Sequence, residues 1–365
     1  MPMAELIIAA GKTALAHIRK NGLSPDDIST IFGASGAAKW LAIAGLDHKV
    51  FARFMTQRTN KTPVDLFGTS VGAFKLAGAA RQDADTTLKV MADAYIAQSY
   101  EGKIDLTSID KQTDIVFEKF MGHGHAGDVS KGIDEILANE KYRLHIGTVR
   151  CHGGLNAPVW RQGIALARAG LLSTFTDRHL IGLTERAVFC DPRSDIHFSA
   201  RDGFPVPQAA LTPQNFTKAL RASGAIPVYM APVHLEEDPA HIYHDGGMLD
   251  YHPVPDSFWP ETDGLVLYPH FYDHFKLRWF DKFYPWRKVA ADKLDNVVML
   301  APSRDWVKAL PDGKIPSRQD FPKYRKNEAE RFEKWHEVLR RSNALGEMFI
   351  DACERGTISD MVEPL

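Results

Sequence analysis

The stretch Gly68-Thr69-Ser70-Val71-Gly72 has the spacing of a serine nucleophile held on a sharp turn. A hydroxyl attacks an acyl carbon only when a base removes its proton and the turn projects it clear of the sheet. The flanking Gly68 and Gly72 let strand and helix approach without a Cβ clash, at the cost of strained dihedrals on the serine. A helix that begins at the nucleophile also turns its positive end toward developing negative charge. A second stretch, Gly33-Ala34-Ser35-Gly36-Ala37-Ala38-Lys39, exposes backbone N–H groups at a helix start. That is an anion site, and so an oxyanion-hole candidate. A third, His244-Asp245-Gly246-Gly247, is by itself an ordinary glycine turn.

These residues need a scaffold. Ile28–Phe32 reads as a strand broken by the Gly33–Gly36 loop, with helical character over 37–54. Val64–Phe67 is a second strand, followed by the Gly68–Gly72 turn and an Ala-rich helix. Strand, glycine turn and helix thus occur twice within 80 residues, which predicts parallel strands joined by helical crossovers and an α/β fold. Further strands are expected at 142–150, 264–268 and 296–300, and helices at 86–100 and 216–222. A docked C-terminal helix is expected from Pro322 onward, with Phe332, Trp335, Val338 and Leu339 on one face. The four prolines between Asp191 and Pro213 predict a loop, and residues from Ala4 to about Lys20 an amphipathic helix. The expected division is an N-terminal helical segment over 1–27, a catalytic domain over 28–310 and a C-terminal helical extension over 311–365.

A glycine-rich loop after the first strand, then G-x-S-x-G, then D-G-G, in that order, resembles the patatin-like phospholipase family. Arg221-Ala222-Ser223-Gly224-Ala225-Ile226-Pro227 and Pro253-Val254 resemble that family's flanking stretches. The resemblance covers about residues 28–255. It implies a three-layer α/β/α sandwich with a mainly parallel central sheet, and hydrolysis of lipid acyl esters. It further implies Ser70 as nucleophile, Asp245 as its base, and amides around Ser35, Gly36 and Ala37 as the oxyanion hole. The chain departs from the family pattern where Ala34 and Ser35 interrupt the glycine run, and where Tyr251 and His252 follow D-G-G in place of an asparagine. A Ser–Asp dyad requires no cofactor, metal or histidine: a desolvated carboxylate within hydrogen-bond reach of Oγ can take its proton.

Other chemistries fit less well. A phosphate-binding P-loop at 33–39 fails on spacing, since no glycine precedes Lys39 and Trp40 stands where Ser or Thr should be. A Ser-Asp-His triad would need a late histidine, with His252, His270 and His274 available, and His152-Gly153-Gly154 lies after the serine rather than before it. A third alternative is a lipid-binding protein that keeps the scaffold without turnover. His123, His125 and Asp128 read as a solvated loop rather than a metal site. From 270 to 288, aromatic residues at 271, 275, 279 and 283 alternate with Lys276, Arg278, Lys282, Arg287 and Lys288. That pattern is open to two readings, a helix in a lipid interface or aromatics packed on the core.

The bulk properties exclude some classes. With 44 basic and 46 acidic residues the net charge of −2 gives no reason to expect nucleic acid. Three widely spaced cysteines fit a reducing compartment. The apolar run from Leu6 to Ala10 is too short for a secretory segment. The expectation is a cytoplasmic protein that meets membranes only from the surface.

Overall fold

The computed structural model describes residues 5–100 and 102–365. Among the described residues eleven strands form one mixed sheet: nine lie in the order β11-β1-β10-β9-β2-β3-β4-β5-β6, while β8 pairs with β4 off this path and β7 pairs with β8. They are β1 (Leu6–Ala10), β2 (Ile28–Gly33), β3 (Val64–Thr69), β4 (Tyr142–Cys151), β5 (Thr184–Cys190), β6 (Gln208–Ala210), β7 (Val233–Leu235), β8 (Asp238–Asp245), β9 (Leu265–Pro269), β10 (Val297–Pro302) and β11 (Glu363–Pro364). The central strands β10, β9, β2, β3 and β4 all run parallel, and helices flank the sheet, so the fold is α/β as expected.

The parallel strands are apolar on both faces because both are covered. Phe32 and Phe67, paired in register, pack into an aromatic layer with Phe198, Phe258, Trp259 and Tyr268. Their neighbours Ile31 and Leu66, also fully buried, point to the opposite face by the two-residue period of a strand. The C-terminal helix Glu328–Glu354 docks through Trp335, Val338, Leu345 and Phe349.

One arrangement positions the site. Strand β3 pairs in parallel with the first part of β4, ending with Thr69 opposite Gly147. Strand β8 pairs antiparallel with the rest of β4, ending with Asp245 opposite Thr148. Two strands approaching from opposite directions therefore finish at adjacent residues of β4.

Several local expectations are corrected. Ala4 lies outside the described residues, but Leu6–Ala10 is strand rather than helix, and the helix covers only Lys12–Asn21. The Leu-Ile-Ile run suits a strand, and β10 offers it an antiparallel partner. Residues 37–54 are helical in three pitches, a 3₁₀ turn, an α-helix and a π turn. The loop at 191–213 carries the short strand β6.

The segment 270–288 forms no α-helix, only a 3₁₀ turn at Trp279–Phe283. Phe271, Phe275, Phe280 and Tyr284 are buried. Arg278 is buried as well, paired with Asp177 and Asp202, and Arg287 pairs with Asp177 and Asp281. These cations are neutralised inside the protein and are not presented to a lipid surface. No helix among the described residues is long and apolar enough to cross a membrane.

Candidate active site

Ser70 is the last residue before the helix Val71–Ala79 and has φ 53°, a left-handed value. Such a conformation costs a β-carbon residue about 1–3 kcal/mol and persists only where the surroundings enforce it. They do so through backbone contact: a Cβ on Gly72 would lie 2.1 Å from the Gly33 carbonyl oxygen, so β2 and the helix Val71–Ala79 meet where only glycine fits. A buried ion pair then ties that helix to the segment after the Gly33–Gly36 loop. Lys75 Nζ donates to both carboxylate oxygens of Asp47 at 2.8 and 2.9 Å, and Trp40 Nε1 donates to Asp47 Oδ2 at 2.8 Å.

Ser70 Oγ donates to Asp245 Oδ2 at 2.8 Å. The other oxygen, Asp245 Oδ1, accepts from the Gly247 amide at 2.7 Å, which fixes the carboxylate plane. Burial pushes the Asp245 pKa up to about 6, against the lowering effect of the Ser70 and Gly247 hydrogen bonds. A carboxylate so raised is a stronger base than one in water, yet still ionised near neutral pH.

The glycine-rich loop is bound to both other motifs. The Ser35 amide donates to the Tyr251 carbonyl at 2.9 Å. The Ser35 hydroxyl meets Thr69 Oγ1 at 2.9 Å, and Thr69 Oγ1 donates to the Asp250 carbonyl at 2.7 Å. Ser35 therefore has no amide to offer an oxyanion, which removes it from the expected trio. No hydrogen bond to a described residue uses the Gly36 or Ala37 amide. Ala37 sits at φ 50°, a second strained position beside Ser70 in the same cavity.

Ser70 lies where two cavities join. One, of about 60 Å³, is lined by Ser35, Gly36, Ala37, Asp245, Lys39, Lys282 and Arg318 among others. The second, of about 700 Å³, is walled mainly by apolar side chains such as Phe74, Met91, Ile109, Val116, Met230 and Phe321.

The histidines stand elsewhere. Nδ1 of His252 accepts from the Lys276 amide and Nδ1 of His270 donates to the Tyr272 carbonyl at 2.6 Å, and burial drives both pKa values down. His274 pairs with Asp273, and none of the three lines either cavity. His152 pairs with Glu185 and His125 with Glu135, while Asp128 caps the helix Val129–Ala138. No group of potential metal ligands gathers among the described residues.

The patatin-like phospholipase family model matches residues 32–258, more than half of the sequence. The chain belongs to the patatin-like phospholipase family. That family is one of lipid acyl hydrolases. The crystal structure of VipD from Legionella pneumophila aligns with this patatin-like chain at a TM-score of 0.34 and 12% identity, over 93% of this chain and 70% of that one. Comparison with curated protein sequences gives no match.

Three contributors to this patatin-like site were not singled out by the sequence reading. Ser223 belongs to a stretch quoted for the resemblance, but only the structure shows it bonded to the nucleophile turn. Asp47 and Arg318 have no motif of their own: Asp47 joins through its ion pair with Lys75, and Arg318 through its place in the cavity wall.

Proposed function

We propose that this protein is a serine acyl hydrolase that cleaves lipid acyl esters through a Ser70 acyl-enzyme, with Asp245 as base. The hydrogen bond from Ser70 Oγ to Asp245 at the junction of the two cavities carries this reading. Asp245 takes the hydroxyl proton as Oγ adds to the ester carbonyl carbon. The oxygen that becomes negative lies toward the Gly36 and Ala37 amides, and each well-placed donor lowers the barrier by about 3–4 kcal/mol. The bond to the leaving alcohol breaks, and that alcohol receives the proton from Asp245. Water then repeats the attack: Asp245 accepts its proton, the Oγ–acyl bond breaks, and the proton returns to Oγ. The apolar cavity of about 700 Å³ is suited to the acyl chain.

The test is direct. Wild type should hydrolyse p-nitrophenyl acyl esters and react with a fluorophosphonate at Ser70, while Ser70→Ala should be folded and inactive. Labelling of a different serine, or a folded wild type that turns over no acyl ester, would overturn the assignment. The second result would leave a lipid-binding protein.

A peripheral membrane contact has support from a surface other than the buried part of 270–288. Trp160, Ile164 and Leu171 of the helix Val159–Ser173, with Phe175 just after it, are 65%, 64%, 71% and 84% exposed. At about 100° per residue they form one narrow stripe. The neighbouring Phe283 and Trp286 are also exposed, and Tyr284 bonds to Gly170 of the same helix. Arg161, Arg168, Arg178 and Lys288 are exposed in or next to the same two segments, a combination that suits an interfacial surface for anionic lipid. Leu166 and Trp279, from the same two segments, line the nucleophile cavity. Trp279 is thus half-buried beside the site, and Trp160 and Phe175 are better probes. Their joint replacement by Ser should reduce sedimentation with anionic vesicles and slow hydrolysis there, with turnover of a soluble ester retained. Unaltered vesicle binding would refute the contact.

A further inference from the structure

The smaller cavity carries an excess of positive charge. Lys39, Lys282 and Arg318 line it beside Ser70 and Asp245. Elsewhere in the interior most cations meet acids: Lys75 meets Asp47, Arg186 meets Asp250 and Asp202, and Arg278 meets Asp177 and Asp202, while Arg331 instead donates to the Gln98 carbonyl among aromatic rings. Among the described residues, none of the three cavity cations forms an ion pair with a carboxylate.

Two of them rest on aromatic rings instead. Lys282 Nζ lies 3.7 Å from the ring centre of Tyr251, and Arg318 Cζ lies 4.7 Å from that of Tyr229. A ring face steadies a cation electrostatically while leaving its N–H donors free for a ligand. Burial, then the charge of Arg318, lowers the Lys39 pKa to about 8. Burial, then Lys39 and Arg318, lowers Lys282 as well, although Lys282 stands at the exposed rim, where solvent tempers the effect. The three cations therefore repel one another, and an incoming anion would relieve that repulsion.

Their placement gives the anion a side. Lys39 and Arg318 border both cavities, whereas Lys282 borders only the smaller one, away from the apolar walls. An ester with its acyl chain in the large cavity and its carbonyl at Ser70 puts its alcohol portion against Lys282. Lys282 and Arg318 also lie beyond residue 258, where the family match ends, so this chain's own C-terminal third supplies two of the three cations.

We propose that Lys39, Lys282 and Arg318 form an anion subsite on the leaving-group side, selecting acyl esters whose alcohol portion carries a phosphate or carboxylate. The proposal rests on Ser70 and Asp245 acting as an acyl hydrolase.

The experiment compares three esters with the same medium-length acyl chain: an acylglycerol phosphate, an acyl ester of glycerate and a neutral monoacylglycerol. Wild type should favour one anionic ester over the neutral one by about tenfold or more in kcat/KM, and the preferred ester names the anion. Lys282→Met and Arg318→Gln should each lower that ratio about tenfold. With wild type alone, glycerol 3-phosphate or glycerate should raise KM for the neutral ester and leave kcat unchanged, while chloride at equal ionic strength should not.

A wild-type ratio near one with no such competition would overturn the subsite and leave the hydrolase reading intact. Equal losses on all three esters would overturn it too, by assigning the cations to the oxyanion. If no ester is hydrolysed, calorimetry with glycerol 3-phosphate and with glycerate decides separately. Binding that disappears in Lys282→Met would uphold the anion site while the hydrolase reading falls, and no binding would end both.

Discussion

The amide of Ser70 donates to the hydroxyl of Ser223 at 2.9 Å, and that hydroxyl donates in turn to the Gly147 carbonyl at 2.7 Å. One buried side chain thus satisfies the nucleophile turn on one side and β4 on the other. Ser223→Ala would leave a donor and an acceptor unpaired, at a cost of about 1–3 kcal/mol. The strained Ser70 dihedral should relax as well. The expected result is a lower midpoint in urea together with a reduced kcat on a soluble ester. Reduced stability with unchanged kcat would mean that Ser223 only braces the sheet.

The pKa of Asp245 sets a pH profile. The base must be ionised, so kcat/KM should be level at neutral pH and fall about tenfold per unit below pH 6, the value to which burial raises it. A profile still level at pH 4.5 would show that the carboxylate is not so perturbed.

The same shift has a sign for stability. A raised folded-state pKa means that the native protein holds this proton more tightly than the unfolded chain does. The penalty for the charge is absent below the ordinary 3.8 and grows as pH rises through about 6. Asp245→Asn should therefore abolish most activity yet melt higher than wild type at pH 8, by on the order of 1–3 kcal/mol. Thermal melts at pH 4 and pH 8 check this, since the gap should close at the lower pH.

Lys75 and Asp47 supply a test of how the loop and the nucleophile helix are held together. Removing one partner leaves a buried charge, so Lys75→Met should cost about 3–5 kcal/mol. Adding Asp47→Leu should recover much of that stability. If activity stays low in the restabilised double variant, the pair positions the oxyanion loop and does more than hold the fold together.

Gly36 has a Phe271 ring 2.6 Å from where a Cβ would lie. Gly36→Val must displace either the ring or the loop, and the loop amides face the reacting oxygen in the proposed mechanism. The expected signature is a fall in kcat larger than any rise in KM. A change confined to KM would make the loop a substrate-binding element only.

The α/β fold and the family resemblance were legible, and Ser70 and Asp245 stood out as candidates, because each depends on short-range features: glycines at turns, apolar runs before them, and their order. The cations at 282 and 318 were not legible as part of the site, because only the folded topology brings them to residue 70. The N-terminal strand was misread because five apolar residues before a glycine satisfy helix and strand patterns equally. Its partner β10 pairs Leu6 with Pro302 and Ala10 with Val298, at the far end of the sequence. Ser35 was misassigned because no spacing rule reveals that its amide is already used by Tyr251. The aromatic period from 271 to 283 looked helical, but those rings answer to three different neighbourhoods: the core, the cavity and the surface.

The end-to-end meeting of β3 and β8 along β4 also constrains when the protein can act. As the chain leaves the ribosome, β1 to β4 emerge well before β8, and Ser70 can take its place on the turn. The lane beside the second half of β4 stays empty until β8 is made, 175 residues after the nucleophile. Until then Ser70 lacks the carboxylate that the proposed mechanism gives it as a base, so on that mechanism a nascent chain hydrolyses no ester. Domains generally form from the N-terminus during synthesis, so under the proposed mechanism the order of the strands would act as a timer, arming the hydroxyl only after most of the sheet has been built.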